Sequence, residues 1–555
     1  MSFLARYTAC GWILVFALVA SAAEPDLDLY GVREERVMIP MRDGVKLQAY
    51  LYFPAESGPW PALLEQRYAS VRDPYSRQFA ARTAKGGYVV CLANFRGAQQ
   101  SEGTWVGYRA LAWGEQQDGY DLVEWLASQP WFTGGVGAFG SSQAGFAQNF
   151  LAVTQPPHLK AEYMLDTGLS LYHEGYRIGG GTRPERFKTM DKVCREPEHN
   201  QALMREWFSH PTYDDYWAAE DCTRHFAKMN VPCFTIGSWY DFMCVGSVDS
   251  FRGRQLHGGD SSRGAQQLLI GPWLHGRIKD SNKTGELVYP ENARFPLESH
   301  LLRWFDHYLK GAENGVEKDP AARYYVMGAV DEKDAPGNVW RAATEWPIPA
   351  TDASYYLHPN GKLKLSQLES GDACTSFLAD PLHPNTIPGT AFPGAADARK
   401  FEQQKEVRTF TTAELPAPVE WTGLIKAELY FSSDAKDTDF IVRVSDVYPD
   451  GRSILICDYL RRARYREGYE IEAFLELGKI YKVAFDVGWI SQIFNQGHRI
   501  RVTVASTGAP FYEPNPNTGE PLGLEPLDKI KTVVARNTVY LNRAHPSRIL
   551  APIPK

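Results

Sequence analysis

Between residues 34 and 53 apolar and polar positions alternate, as in Arg36-Val37-Met38-Ile39 and Val45-Lys46-Leu47-Gln48-Ala49-Tyr50-Leu51. Arg42-Asp43-Gly44 interrupts them with a turn signal, so an antiparallel hairpin is expected. Short apolar runs then follow at 62–64, 88–92, 136–139, 233–236 and 267–270. Runs of that kind read as strands of a sheet buried on both faces. Helical spacing lies between them; in 118–128, Tyr120, Leu122, Val123, Trp125 and Leu126 supply the apolar positions. Strands alternating with helices predict a parallel α/β sheet.

The rhythm breaks from 151 to 230, where charge, His and aromatic residues replace strand-like runs. That segment reads as a mostly helical cap. From 346 onward period-two alternation takes over, as in Ile425-Lys426-Ala427-Glu428-Leu429-Tyr430-Phe431 and His498-Arg499-Ile500-Arg501-Val502-Thr503-Val504. Turn residues divide those runs, which predicts an all-β sandwich. The expected organisation is a first α/β part at 24–150, the cap at 151–230, a second α/β part at 231–345 and the sandwich at 346–555.

Residues 1–23 stand apart. Arg6 is the one charge, 10–22 is mostly apolar, and Ala20-Ser21-Ala22 fits a small-x-small cleavage site. The apolar run is short for a membrane span, so a secretory signal peptide is expected, with a secreted or periplasmic product and no stable membrane span after cleavage. The 555 residues are 44% hydrophobic and 23% charged, an ordinary globular balance. A net charge of −7 offers nucleic acid no general attraction. Aromatic residues reach 13%, which fits large cores and also an aromatic-lined pocket.

Of eight cysteines, Cys10 falls in the leader. Cys91 and Cys233 sit in apolar runs, whereas Cys194 and Cys222 lie in irregular sequence where a bridge is feasible. No C-x-x-C spacing occurs, and no metal or other cofactor is expected.

Gly140-Ser141-Ser142-Gln143-Ala144-Gly145 follows one apolar run and precedes a helix-compatible one. Strand, tight turn and helix form the setting of a nucleophile elbow, whose crowding demands small residues two before and two after the exposed Ser. Gly140 and Ala144 meet that demand around Ser142; centring on Ser141 would crowd Phe139. Asp241 lies just past the run 233–236, and His275 just past 267–270. The order Ser, Asp, His is that of α/β-hydrolases. Ser142 is then the expected nucleophile, His275 the general base and Asp241 its orienting acid. The Gln143 backbone N–H and the Tyr68 hydroxyl are the expected oxyanion donors.

With these residues in hand, the chain resembles the CocE/NonD acyl hydrolases. That group includes cocaine esterase-like enzymes, α-amino-acid ester hydrolases and Xaa-Pro dipeptidyl-peptidases. Gly140 to Gly145 is similar to its Gly-x-Ser-Tyr-x-Gly, and Arg67-Tyr68 to its Arg-x-Pro-Tyr. Asn94-Phe95-Arg96-Gly97 with Ser101-Glu102-Gly103 looks like Asp-x-Arg-Gly…Ser-Glu-Gly. Asp118-Gly119-Tyr120-Asp121, Trp239-Tyr240-Asp241, Gly271-Pro272-Trp273-Leu274-His275 and Arg303-Trp304-Phe305-Asp306-His307 also match. The resemblance implies an α/β-hydrolase fold with a helical cap and a C-terminal jelly-roll sandwich. Three departures stand out: Gln143 for Tyr, Asn94 for Asp, and no Pro before Tyr68. They suggest a lost pocket-wall ring, a weakened structural network and a less rigid loop.

The leading expectation is a serine hydrolase acting on small ester or amide substrates, with short peptides as an extension and oligomer formation compatible with the sequence. An Xaa-Pro dipeptidyl-peptidase or α-amino-acid ester hydrolase is the second reading, and needs an acidic site for a free amine; Asp166, Glu174, Glu220 and Asp221 are the cap candidates. A non-catalytic carbohydrate binder built on the sandwich is the third, and retention of all three triad residues speaks against it.

Overall fold

The computed structural model describes residues 27–55, 57–183, 187–276, 279–387 and 394–555. The signal peptide expected at 1–23 lies outside them. Among the described residues no helix is long and apolar enough to cross a membrane.

The N-terminal unit is a ten-stranded sheet: β1 (Arg33–Pro40), β2 (Lys46–Phe53), β3 (Trp60–Arg67), β4 (Val89–Asn94), β5 (Phe132–Ser141), β6 (Leu159–Leu165), β7 (Cys233–Ser238), β8 (Gln267–Gly271), β9 (Ala322–Val326) and β10 (Val339–Ala343). Its order is β1-β2-β4-β3-β5-β6-β7-β8-β9-β10. β1 and β2 form the expected hairpin, Arg33 facing Phe53 and Pro40 facing Lys46. From β4 through β9 the strands run parallel. All six residues of β4 are buried, which explains its unbroken apolar run.

Helices cover both faces. On one side α1 (Pro74–Ala84) contributes Phe79, Ala80, Ala81 and Ala84 to a core it shares with Leu301, Trp304 and Phe305 of a helix at Leu297–Lys310. On the other, α2 (Asp118–Ala127) packs Leu122, Val123 and Leu126 against Leu64, Ala138 and Leu151, the last from α3 (Gln143–Thr154).

The cap differs from its predicted bounds. Residues 159–165 are not cap but the central strand β6, paired to β5 and β7. Lys160 and Glu162 hide it in the sequence, because a strand buried on both faces rarely carries charge. Glu162 is tolerated because the fully buried Arg254 guanidinium reaches it at 2.5 Å. Beyond Asp166 the cap is mostly helical as expected, with a helix at Pro197–Ser209 and shorter turns at Leu171–Gly175, Asp215–Ala218 and Cys222–Lys228.

The C-terminal unit is an eleven-stranded all-β sandwich. Its longest strand, Val419–Ser433, alternates as read: Ile425, Ala427, Leu429 and Phe431 are fully buried. Outward Glu428 pairs with Lys482 and Arg548, each at 2.8 Å. The two units share one apolar core, in which Trp346 stands between Trp239 and Trp489 at 5.8 and 6.0 Å. Cys194 and Cys222 are both free thiols, so the bridge considered for them does not form. Each is buried among apolar side chains and behaves as a small hydrophobe.

Candidate active site

The parallel sheet delivers its chemistry at the C-terminal ends of its strands, where open α/β sheets bind ligands. β5 ends at Ser141, and the chain turns sharply into α3. Ser142 occupies the turn with φ 58° and ψ −114°, a conformation costly for a residue with a Cβ. The turn is too crowded for a larger residue at 140: a Cβ on Gly140 would stand 2.5 Å from the Cβ of Ala144. Ser141, by contrast, ends in a buried hydroxyl without a hydrogen-bond partner.

β7 and β8 are neighbours, Gly271 facing Ser238, so the loops that follow them emerge side by side. One carries Asp241 and the other His275. His275 Nε2 lies 2.8 Å from Ser142 Oγ, and Nδ1 lies 2.9 Å from Asp241 Oδ2. A carboxylate only accepts, so Nδ1 carries the ring proton and Nε2 is free to accept from the hydroxyl. Burial pushes Asp241 up, but the imidazole beside it, the Met243 N–H and the Lys279 ammonium outweigh that and hold it below the ordinary carboxylate range. The Phe242 ring packs on His275 at 5.2 Å between centroids.

Gln143 begins α3, so its backbone N–H is one of the first-turn donors that a helix leaves without an internal acceptor. Tyr68 follows β3, the strand beside β5. Its ring stands edge-on to Phe95 and Trp105, at 5.8 and 5.9 Å. Ser142, Gln143 and Tyr68 line one cavity of about 440 Å³, open to solvent. Trp105, Tyr108, Phe146, Tyr176, Phe187, Trp207, Met190 and Met243 supply most of the remaining wall. Among the described residues that line it there is no carboxylate and no cation.

The three departures in the motifs meet at one place. Gln143 Oε1 accepts the backbone N–H groups of Tyr68 and Ala69, each at 2.9 Å. Asn94 Nδ2 donates to the carbonyls of Arg67 and Ala69 at 3.1 and 2.8 Å. The loop expected to be less rigid is therefore pinned from both sides, by the Gln143 side-chain carbonyl and by the Asn94 amide.

The four carboxylates expected in the cap are engaged elsewhere, and none lines the cavity. Glu174 accepts the N–H groups of Leu169 and Ser170 at 2.6 and 3.0 Å. Asp221 accepts from Thr223 and from the Tyr213 hydroxyl. Glu220 is buried 3.7 Å from Arg109. Asp166 is not in the cap at all; it directly follows β6 beneath the triad, ion-paired at 2.6 Å with a buried Lys279 that the sequence reading did not single out. The placement of β6 was the signal needed to find that pair. Among the described residues, Asp166, Asp241 and His275 form the one grouping of metal-ligand types, and the Lys279 ammonium is already paired with one of its two carboxylates.

Comparison with known proteins fits this geometry. Residues 43–202 and 188–277 match the X-Pro dipeptidyl-peptidase (S15 family), and 314–550 match the X-Pro dipeptidyl-peptidase C-terminal non-catalytic domain. A cocaine esterase of Rhodococcus sp. (strain MB1 Bresler) is 30% identical over 590 residues, covering 94% of this chain and 98% of that one. The fold is shared with an aminopeptidase from a marine sediment archaeon, Thaumarchaeota archaeon, at a TM-score of 0.84 and 22% identity over 97% of this chain and 99% of the other. It is shared equally with an α-amino acid ester hydrolase, at a TM-score of 0.83 and 22% identity over 98% and 100%.

Proposed function

The chain belongs to the CocE/NonD and X-Pro dipeptidyl-peptidase (S15) family of serine hydrolases, and from that premise we propose that it hydrolyses esters of small, uncharged, apolar acyl groups through an acyl-enzyme on Ser142. His275 takes the hydroxyl proton as Ser142 Oγ bonds to the substrate carbonyl carbon, and returns it to the alcohol as the C–O bond breaks. Water then repeats the sequence and releases the acid. Asp241 holds the imidazole in the required tautomer and stabilises its cation. The Gln143 N–H and the Tyr68 hydroxyl receive the charge that develops on the carbonyl oxygen.

The observation that carries this reading is that Ser142, hydrogen-bonded to His275 and through it to Asp241, stands at the wall of an aromatic cavity lacking charge among its described residues. Among the described residues of the wall an α-ammonium group desolvated there would find no carboxylate partner, and an unpaired buried charge is costly. That favours simple esters over aminoacyl esters and X-Pro peptides. Steady-state kinetics on p-nitrophenyl butyrate and benzoate, an aminoacyl ester and Ala-Pro-p-nitroanilide test it. The neutral esters are expected to have the highest kcat/KM; a preference for either amine-bearing substrate would overturn the acyl-group assignment.

Two further elements belong to the same reading. The N-terminal leader supports export, which N-terminal sequencing of the mature protein checks: a start near residue 24 is expected and an intact Met1 would refute it. The mostly antiparallel pairing of the sandwich, with strands from distant parts of the chain lying side by side, supports a jelly roll.

A further inference from the structure

We propose that Lys279 and Asp166 are positioning residues that fix the His275 loop from both sides and balance the charge beside its imidazole; this rests on the reading of His275 as the general base. The side chains of Lys279 and Asp166 are both fully buried. Lys279 Nζ reaches Asp166 Oδ2 at 2.6 Å, Ser238 Oγ at 2.5 Å and the Leu274 carbonyl at 3.1 Å, which uses all three of its donors. Asp166 accepts from the Ser238 hydroxyl at 2.7 Å and from the Gly276 N–H at 2.7 Å. Both of its oxygens face donors, the arrangement of an ionised carboxylate.

The consequence is local to the base. Leu274 and Gly276 flank His275, and each is tied to the same ion pair. Ser238, held by both partners, accepts the Asp241 N–H at its carbonyl and so starts the turn that carries the acid. Leu165, beside Asp166, accepts the Ser142 N–H at 2.9 Å. One buried pair thus touches the segments that carry all three members of the triad. Asp166 itself has φ 47°, a strained choice for a non-glycine residue that persists only where its surroundings over-determine it.

Charge gives the pair a second effect. Asp166 and Asp241 bring carboxylate oxygens to within 4.8 Å of each other and of a His275 ring nitrogen. Two uncompensated carboxylates would attract the imidazolium more strongly than one. Lys279 cancels one of them. Among the described residues, three other groups beside His275 do not substitute: Ser142 is neutral, Phe242 is a ring, and burial keeps the Cys244 thiol neutral. The Arg183 guanidinium stands beyond the Phe242 ring, 4.9 Å from its centroid.

The test compares Lys279→Met, the neutral pair Asp166→Asn/Lys279→Met and Ser238→Ala in the full-length enzyme, with thermal melts to establish folding. Lys279→Met should lower kcat on a p-nitrophenyl ester on the order of 10- to 100-fold with KM little changed, by analogy with other residues that orient a functional His. Its acid limb of kcat/KM against pH should move to higher pH. The neutral pair should return that limb to the wild-type position, which a purely structural role does not predict. A folded Lys279→Met enzyme with wild-type kcat or an unmoved limb would overturn the proposal. Ser238→Ala keeps both charges; it should lower kcat without moving the limb, and wild-type turnover there would overturn the positioning role even if Lys279→Met does not fold. Ser142→Ala is the separate control: turnover surviving in it would sink the triad reading, whatever the Lys279 variants do.

Discussion

The side-chain carbonyl of Gln143 accepts the backbone N–H of Tyr68 at 2.9 Å, so the residue after the nucleophile holds the loop across the site. A second bond, from Ala69 N–H to the same oxygen, makes the grip bidentate. Gln143→Met keeps the length of the side chain and the backbone N–H but removes the acceptor. The expected result is a fall in kcat of roughly tenfold or more, equivalent to at least about 1.4 kcal/mol of transition-state stabilisation, with a smaller change in KM. Steady-state kinetics check it; unchanged kcat would mean the loop holds its place without Gln143.

Asn94 grips the same loop from the other side, and its amide donates where the family's Asp could not. It is 1% exposed. Asn94→Asp would face carboxylate lone pairs against the carbonyls of Arg67 and Ala69. A loss of about 1–3 kcal/mol of stability is expected, read as a lower Tm at neutral pH, together with reduced kcat. A Tm equal to wild type would show that the amide bonds add nothing net.

These two contacts show where sequence reasoning stopped. The register of the elbow was legible, because small residues at 140 and 144 around one Ser encode a steric demand that any such turn makes. Asp241 and His275 were legible because each follows an apolar strand at its C-terminal end. The departures at 94 and 143 were visible but misjudged: each was weighed against a motif separately, and only the fold brings them onto one loop. β6 failed for a related reason. Its Glu162 is neutralised by Arg254, 92 residues further on, and no local pattern reveals that partner. Asp166 was then assigned to the cap, and Lys279 went unnoticed.

The two adjacent serines give a sharp pair of variants. Ser142 Oγ contacts the base, whereas the Ser141 hydroxyl is buried without a hydrogen-bond partner. Ser142→Ala should abolish turnover and fluorophosphonate labelling while leaving the melt intact. Ser141→Ala should keep most of the activity. Swapped outcomes would move the nucleophile to Ser141.

Glu220 makes stability depend on pH. Burial pushes its carboxyl up to about 7, although Arg109 nearby pulls it down, and neither oxygen has a hydrogen-bond partner. The folded-state value is raised, so the folded protein holds this proton more tightly than the unfolded chain. Stability from this group is full below the unfolded value and is lost as pH rises toward and through 7. The loss approaches about 3 kcal/mol at pH 8 as an upper bound, at 1.36 kcal/mol per unit. Glu220→Gln removes the titration; it should melt like wild type near pH 4.5 and higher than wild type at pH 8. A Tm difference independent of pH would contradict the assignment.

Tyr68→Phe isolates the least constrained of the proposed catalytic contacts. The ring is fixed by its edge-on packing on Phe95 and Trp105, so Phe preserves the cavity wall and the Gln143 grip on the backbone. Only the hydroxyl is lost. If it donates to the developing oxyanion, transition-state stabilisation should fall by roughly 2.7–4 kcal/mol, a loss of about 100- to 1000-fold in kcat. KM should move far less, because that bond reaches full strength only as charge accumulates on the oxygen. If the hydroxyl serves packing alone, kcat stays within a few fold of wild type. Measuring kcat and KM for this variant, with a melt to confirm folding, separates the two; near-normal kcat would leave the Gln143 N–H to pair with a different second donor.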